Sequence, residues 1–155
     1  MNMNNKCCEN HLSPDQAKEI LAQNGLNRTK TKVAILVAVS KSRIPLSAAE
    51  IHQQLGDETC DISTVFRTLV QFKEKEIIKE LNLGEDFFRY EIGKISSTDH
   101  HHHHHVRCRE CGQIKLIEKC DMSVFEKMIS QLGYDQIQHY LEFTGVCSKC
   151  LKKEL

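Results

Sequence analysis

Four of the eight cysteines form two Cys-x-x-Cys pairs, Cys108 with Cys111 and Cys147 with Cys150. Two residues between thiolates let one tight knuckle aim both sulfurs at a single ion. Two such knuckles complete a tetrahedron with Zn–S near 2.3 Å, a closed and therefore structural site. The 35 residues between the pairs exceed a compact zinc ribbon, so the ion is expected to pin the end of a late strand against the start of its own domain. Zinc held by four thiolates carries two net negative charges, and Arg107, Arg109 and Lys149 stand beside the knuckles to compensate. The rival chemistry, a redox pair, prefers the N-terminus of a helix. Patterned cysteines of this kind suit a reducing compartment. No apolar run approaches the roughly 20 residues needed to span a bilayer, and the start, MNMNNKCCEN, has no signal-peptide core. The expected location is cytoplasmic, with no membrane partner.

The second unusual feature is a run of six histidines, His100 to His105, two residues before the first cysteine pair. Purification tags sit at termini, and this run does not. Neutral imidazole binds Zn, Fe, Ni and Cu and supports open, exchangeable sites better than four thiolates do. In a strand, His101, His103 and His105 would look one way and His100, His102 and His104 the other. One segment could thus feed two metal sites, with Glu91 available to one and His139 to the other. A His-rich loop that buffers metal is the simpler alternative.

The first half of the chain reads as helices and a hairpin. Ser13 with Pro14 opens a helix that Gly25 ends, and a second begins near Thr29 and stops before Pro45. Ser47 and Glu50 form a capping box for a third, broken by Gly56. A fourth opens at Asp61 or Ser63, with Ile62, Val65, Phe66, Leu69 and Phe72 on one side and Thr64, Arg67, Thr68 and Gln71 on an acid-free other side. Two helices around a short Gly-containing connection match helix-turn-helix geometry. IIKELNL and FFRYEI around Gly84 then suggest a winged-helix hairpin.

Beyond the small, polar GKISSTD, the segments HHHHHVRC, QIKLIE and YDQIQHYLEFTGVC suggest strands, and DMSVFEKMISQLG a helix capped by Asp121 and ended by Gly133. The expected organisation is a loose arm over 1–12, a winged-helix domain over 13–92, a hinge over 93–99 and a metal-binding domain over 100–155. The last is too small to bury much core alone, so a metal staple or a dimer partner must supply what burial cannot. Global charge is uninformative, since 21 Lys and Arg balance 21 Asp and Glu, but Arg28, Lys30, Lys32, Lys41 and Arg43 fall in an acid-free stretch of sixteen residues.

A winged helix with STVFRTL, a His-rich segment running into HVRCRECG, and a closing HYLEFTGVCSKC resemble the ferric uptake regulator family, over about residues 13 to 151. The resemblance implies an α+β fold: an N-terminal winged helix-turn-helix DNA-binding domain and a small C-terminal α/β dimerisation domain with structural zinc. It implies Cys108, Cys111, Cys147 and Cys150 as the structural ligands. It gives Glu91, His103 and His105 as a regulatory site for a second divalent ion, Fe(II), Zn(II) or Mn(II). His102, His104 and His139 match an additional site completed by an acid, for which Glu118 or Asp121 is available. Ser63, Thr64 and Arg67 fall on the DNA-facing surface, while Arg28, Lys30 and Lys32 are placed to meet phosphates.

The chain departs from the family pattern at four points. Pro45 stands where a regulatory His often precedes the SA-E motif, Leu116 stands in place of an acid, Phe66 replaces a Tyr, and the hinge is longer. His52 reads as an exposed helix residue. The expected function is a metal-dependent, non-enzymatic transcriptional regulator. It is expected to be a repressor of metal-homeostasis or oxidative-stress genes that binds palindromic double-stranded DNA as a homodimer. The rival is a His-rich metal storage or delivery protein. A metal-dependent hydrolase lacks its His-Glu-x-x-His helix, and peroxide sensing would use the same architecture.

Overall fold

The structure, a computed structural model, describes residues 11–93, 103–117, 121–137, 139 and 141–152. It divides into two compact units, 1–100 and 101–155.

In the first unit, α1 (Pro14–Gln23) starts with a capping box: Ser13 Oγ accepts from the Gln16 amide, and Gln16 Oε1 accepts from the Ser13 amide at 2.8 Å. Thr29 caps α2 (Lys30–Lys41), whose Val33, Ile35, Leu36 and Val39 enter the core. Ser47 caps α3 (Ala48–Leu55) reciprocally with Glu50, and Gly56, at φ 76°, ends it. The same Ser47 lies in β1 (Leu46–Ser47), a two-residue strand too short for any sequence period to announce. Then come α4 (Ile62–Glu74), β2 (Ile78–Leu81) and β3 (Arg89–Ile92), the strands forming an antiparallel sheet in the order β1-β3-β2. Where β3 ends, Gly93 donates to the Ile77 carbonyl, and a Cβ there would lie 2.4 Å from the Glu76 carbonyl oxygen. Only glycine permits that approach.

The core face of α4 differs from the sequence expectation. Val65, Thr68, Leu69 and Phe72 are buried, whereas Ile62 and Phe66 are exposed. At about 100° per residue, positions 65, 68, 69 and 72 form one stripe and Phe66 falls about 60° outside its edge. Thr68, expected on the polar side, therefore faces inward.

Arg89 ties the hairpin to α3. The residue is 7% exposed, and its guanidinium donates to Glu85 at 2.5 and 3.1 Å, to Glu50 at 2.8 Å and to the Pro45 carbonyl at 3.1 Å. It also lies 5.4 Å from the Phe87 ring centre.

In the second unit, β4 (His104–Cys108) is the middle strand of the order β5-β4-β6, antiparallel to β5 (Ile114–Ile117) and parallel to β6 (Glu142–Gly145). The helix α5 (Ser123–Gln131) lies between β5 and β6 in the chain, and α6 (Ser148–Leu151) is a single turn. Asp121 is not the cap residue of α5. Met122 holds that position without a side-chain cap, and Asp121 accepts instead from the Ser123 amide and hydroxyl. Among the described residues of this unit, His104, His105, Cys108 and Ile114 are the buried ones, too few to constitute a core.

Replacing Arg89 by Met strands Glu85 among buried groups, and breaking a buried pair on one side costs about 3 kcal/mol. Urea denaturation of the variant should show a loss of that order.

Candidate metal centres and recognition helix

The sheet register assembles the four thiols. β4 ends at Cys108, the turn carrying Cys111 closes with the Gly112 amide donating to the Cys108 carbonyl at 2.9 Å, and β6 brings Gly145 opposite Cys108. Cys147 and Cys150 follow at the start and within α6. The Cys108 and Cys150 sulfurs are 4.0 Å apart and those of Cys111 and Cys147 3.8 Å. All four lie within 4.8 Å of one another. A tetrahedron with metal–sulfur bonds of ~2.3 Å has edges of about 3.8 Å. The donor set thus fits structural zinc, and all four are free thiols, too far apart for a disulfide.

The Cys147 amide donates to Cys108 Sγ at 3.3 Å. That bond, with those from Cys111 and Glu110, pulls the Cys108 thiol down to about 6. Cys150 is pushed up to about 12, first by its hydrogen bond with Cys147. A cavity of about 240 Å³ beside the knuckles is lined by Arg107, Lys115 and Lys149 and by no acid. Arg109, expected to compensate the thiolates, lies 3.8 Å from Glu110 instead.

The imidazoles divide by strand parity. His103 and His105 approach edge to face with ring centres 5.1 Å apart. His104 meets His139, their Nε2 atoms 3.4 Å apart. His104 Nδ1 lies 3.0 Å from the Leu141 carbonyl oxygen. Since a carbonyl only accepts, Nδ1 carries the proton and Nε2 keeps its lone pair toward His139, the orientation a metal-ligating histidine needs. Two nitrogens on a tetrahedral zinc at ~2.05 Å stand about 3.4 Å apart. His102 and Glu118 lie outside the described residues, as do Cys7, Cys8 and Cys120.

Glu91 lies on β3 in register with Lys79 of β2. Leu116 pairs with His105 across β4 and β5. Pro45 offers only its carbonyl, which accepts from Arg89. His52 is not an exposed residue: its Nε2 lies 2.8 Å from the Cys60 carbonyl and 3.3 Å from Asp57, and its side chain is 20% exposed. Cys60 packs against the core.

On α4 the hydroxyls of Ser63 and Thr64 both donate to the cap carboxylate of Asp61, at 2.5 and 3.0 Å, and Arg67 donates to Thr64 Oγ1 at 3.1 Å. These bonds, Ser63's first, hold the Asp61 carboxyl well below the usual carboxylate range. Arg67 is exposed beside Phe66 and Val70, which are 51% and 53% exposed. The outward surface of α4 is thus partly apolar, and Phe66, expected on the core side, belongs to it. Arg28 and Lys30 are exposed and Lys32 half-buried at the start of α2.

A winged helix followed by a small α/β unit with a four-thiol centre and clustered imidazoles defines a class, the metal-responsive DNA-binding regulators. The chain belongs to the ferric uptake regulator family, whose model matches residues 23–144. It is 37% identical to the ferric uptake regulation protein of Staphylococcus epidermidis, over 92% of this chain and 99% of that one. It is 30% identical to the peroxide-responsive repressor PerR of Staphylococcus aureus, over 86% and 88%. Among solved structures, the Helicobacter pylori ferric uptake regulator, described as having three functional metal-binding sites, matches with a TM-score of 0.72 at 24% identity. That match covers 92% of this chain and 96% of that one. The protein is accordingly a metal-responsive transcription regulator and not an enzyme. Among the described residues no helix is long and apolar enough to cross a membrane.

Two outcomes follow from this geometry. One zinc per chain should survive dialysis against a chelator at neutral pH, whereas Cys147→Ser should lose both the ion and the fold of the second unit, since structural zinc supplies ~10 kcal/mol of folding free energy. Zinc analysis and circular dichroism read both. Because the Asp61 pKa is depressed, the cap's stabilisation is complete above the ordinary carboxylate value of about 3.9 and is lost as pH falls through the lower folded value. A carboxyl NMR titration should place the Asp61 midpoint below that value, and Ser63→Ala should raise it.

Proposed function

We propose that the protein is a metal-dependent repressor of metal-homeostasis or oxidative-stress genes that binds palindromic operators as a homodimer. The observation that carries this reading is the segregation of donors: four sulfurs close around one site while the imidazoles form separate, open sets. A storage protein would need neither that division nor a recognition helix.

Glu91, His103 and His105 hold the regulatory ion, Fe(II), Zn(II) or Mn(II), and His104 and His139 take part in an additional site with His102 and Glu118. When bound, the regulatory ion supplies a positive centre that three side chains from both sides of the hinge share. Glu91 lies on the wing strand β3, His103 just before β4 and His105 within it. A dimer presents two recognition helices, and only some separations of them match successive major grooves.

The partner that covers α5 is a second copy of this chain. Val124, Phe125 and Met128 of α5 and Leu132 just beyond it are each more than half exposed, and no residue of α5 is buried. A chain that requires two recognition helices for a palindrome would place them by joining this face to its equivalent.

At the DNA, Arg28, Lys30 and Lys32 meet phosphates. Ser63, Thr64 and Arg67 face the groove, where the Arg67 guanidinium addresses guanine in bidentate fashion. Gel-shift of a palindromic promoter fragment should show binding that depends on added Mn(II) or Fe(II) and is lost on its removal while the structural zinc stays. Arg67→Ala should cost about tenfold or more in operator affinity and relax discrimination at one base pair. Equal binding by the stripped protein would remove this reading.

A further inference from the structure

We propose that Lys79 sets the affinity of the regulatory metal site by opposing the arrival of a cation at Glu91; this rests on the reading of Glu91 as a ligand. Lys79 and Glu91 are direct cross-strand partners of β2 and β3, so register and not chance rotamer choice keeps them on one face of the hairpin. Lys79 Nζ stands 3.8 Å from Glu91 Oε1. That exceeds hydrogen-bond distance, so the ammonium does not orient the carboxylate as a ligand's supporting partner would. It acts as a point charge.

The other cations of the hairpin are already neutralised. Arg89, on the same side of β3 as Glu91, is held by Glu85 and Glu50. Lys73, at the end of α4, pairs with Glu80, the neighbour of Lys79 and hence on the opposite side of β2. Lys79 is thus the described cation on this hairpin whose charge falls on the proposed ligand. A divalent ion reaching Glu91 must share the carboxylate with the ammonium or displace it. With the Lys79 side chain 46% exposed, solvent screening leaves an effect of about fivefold in metal affinity at low salt. The consequence is a sensor that stays empty until the free ion exceeds a raised threshold.

The test uses the full chain with its structural zinc retained. Mn(II) is titrated into wild type, Lys79→Met, Lys79→Arg and Glu91→Gln, with free Mn(II) read by electron paramagnetic resonance and folding by thermal melts. Lys79→Met should bind about fivefold tighter, an advantage that shrinks as salt rises, and Lys79→Arg should match wild type. Unchanged or weaker binding in Lys79→Met, with Glu91→Gln strongly impaired, overturns the role of Lys79 and leaves Glu91 as a ligand. Unchanged binding in Glu91→Gln overturns both.

Discussion

The parallel pairing of β4 with β6 is the constraint on which the second unit depends. It sets Cys108 against Gly145, and from that single register the two knuckles fall within reach of one ion. Among the described residues of this unit four are buried, two of them histidines, too little apolar surface to offset the entropy of ordering the chain around them. The sulfur quartet is therefore a condition of the fold rather than an addition to it. The histidines inherit their positions from the same strand. Were β4 not held, neither the His103 and His105 pair nor the His104 and His139 pair would be defined.

This dependence separates the roles of the two donor types. Sulfur donors that close a tetrahedron leave no coordination position for exchange, so they contribute stability and no response. Imidazole donors, by contrast, suit an exchangeable ion. The first unit has a conventional core of Leu21, Ile35, Leu36, Ile51, Val65, Leu69 and Phe72.

Much of this was legible in the sequence because each feature has a local cause. Ser13 and Ser47 announce helix starts through side-chain bonds three residues on, Gly56 ends a helix with a left-handed φ, and the cysteine spacing is itself the shape of a knuckle. Features decided by distant partners were less visible. The two-residue β1 exists only because β3 pairs with it, and Arg89 is buried because Glu85, Glu50 and the Pro45 carbonyl converge on it. The outward position of Phe66 was missed because an apolar residue beside a core stripe reads as core when only composition is counted. Strand parity separates His103 and His105 from His104, whereas the 3.4 Å approach of His139 to His104, between residues 35 positions apart, has no sequence period and was expected from the family resemblance.

In the proposed mechanism an exchangeable ion and operator DNA are coupled through one chain, while the sulfur-bound zinc is not. Thermodynamic reciprocity makes this measurable: an ion that tightens DNA binding a hundredfold, about 2.7 kcal/mol of coupling, must itself be bound a hundredfold tighter when operator is present. Calorimetric titration of Mn(II) into zinc-retaining protein, with and without saturating operator duplex, is the direct measurement. The account predicts markedly tighter Mn(II) binding on DNA with unchanged zinc content, and equal Mn(II) affinities in the two titrations would contradict it.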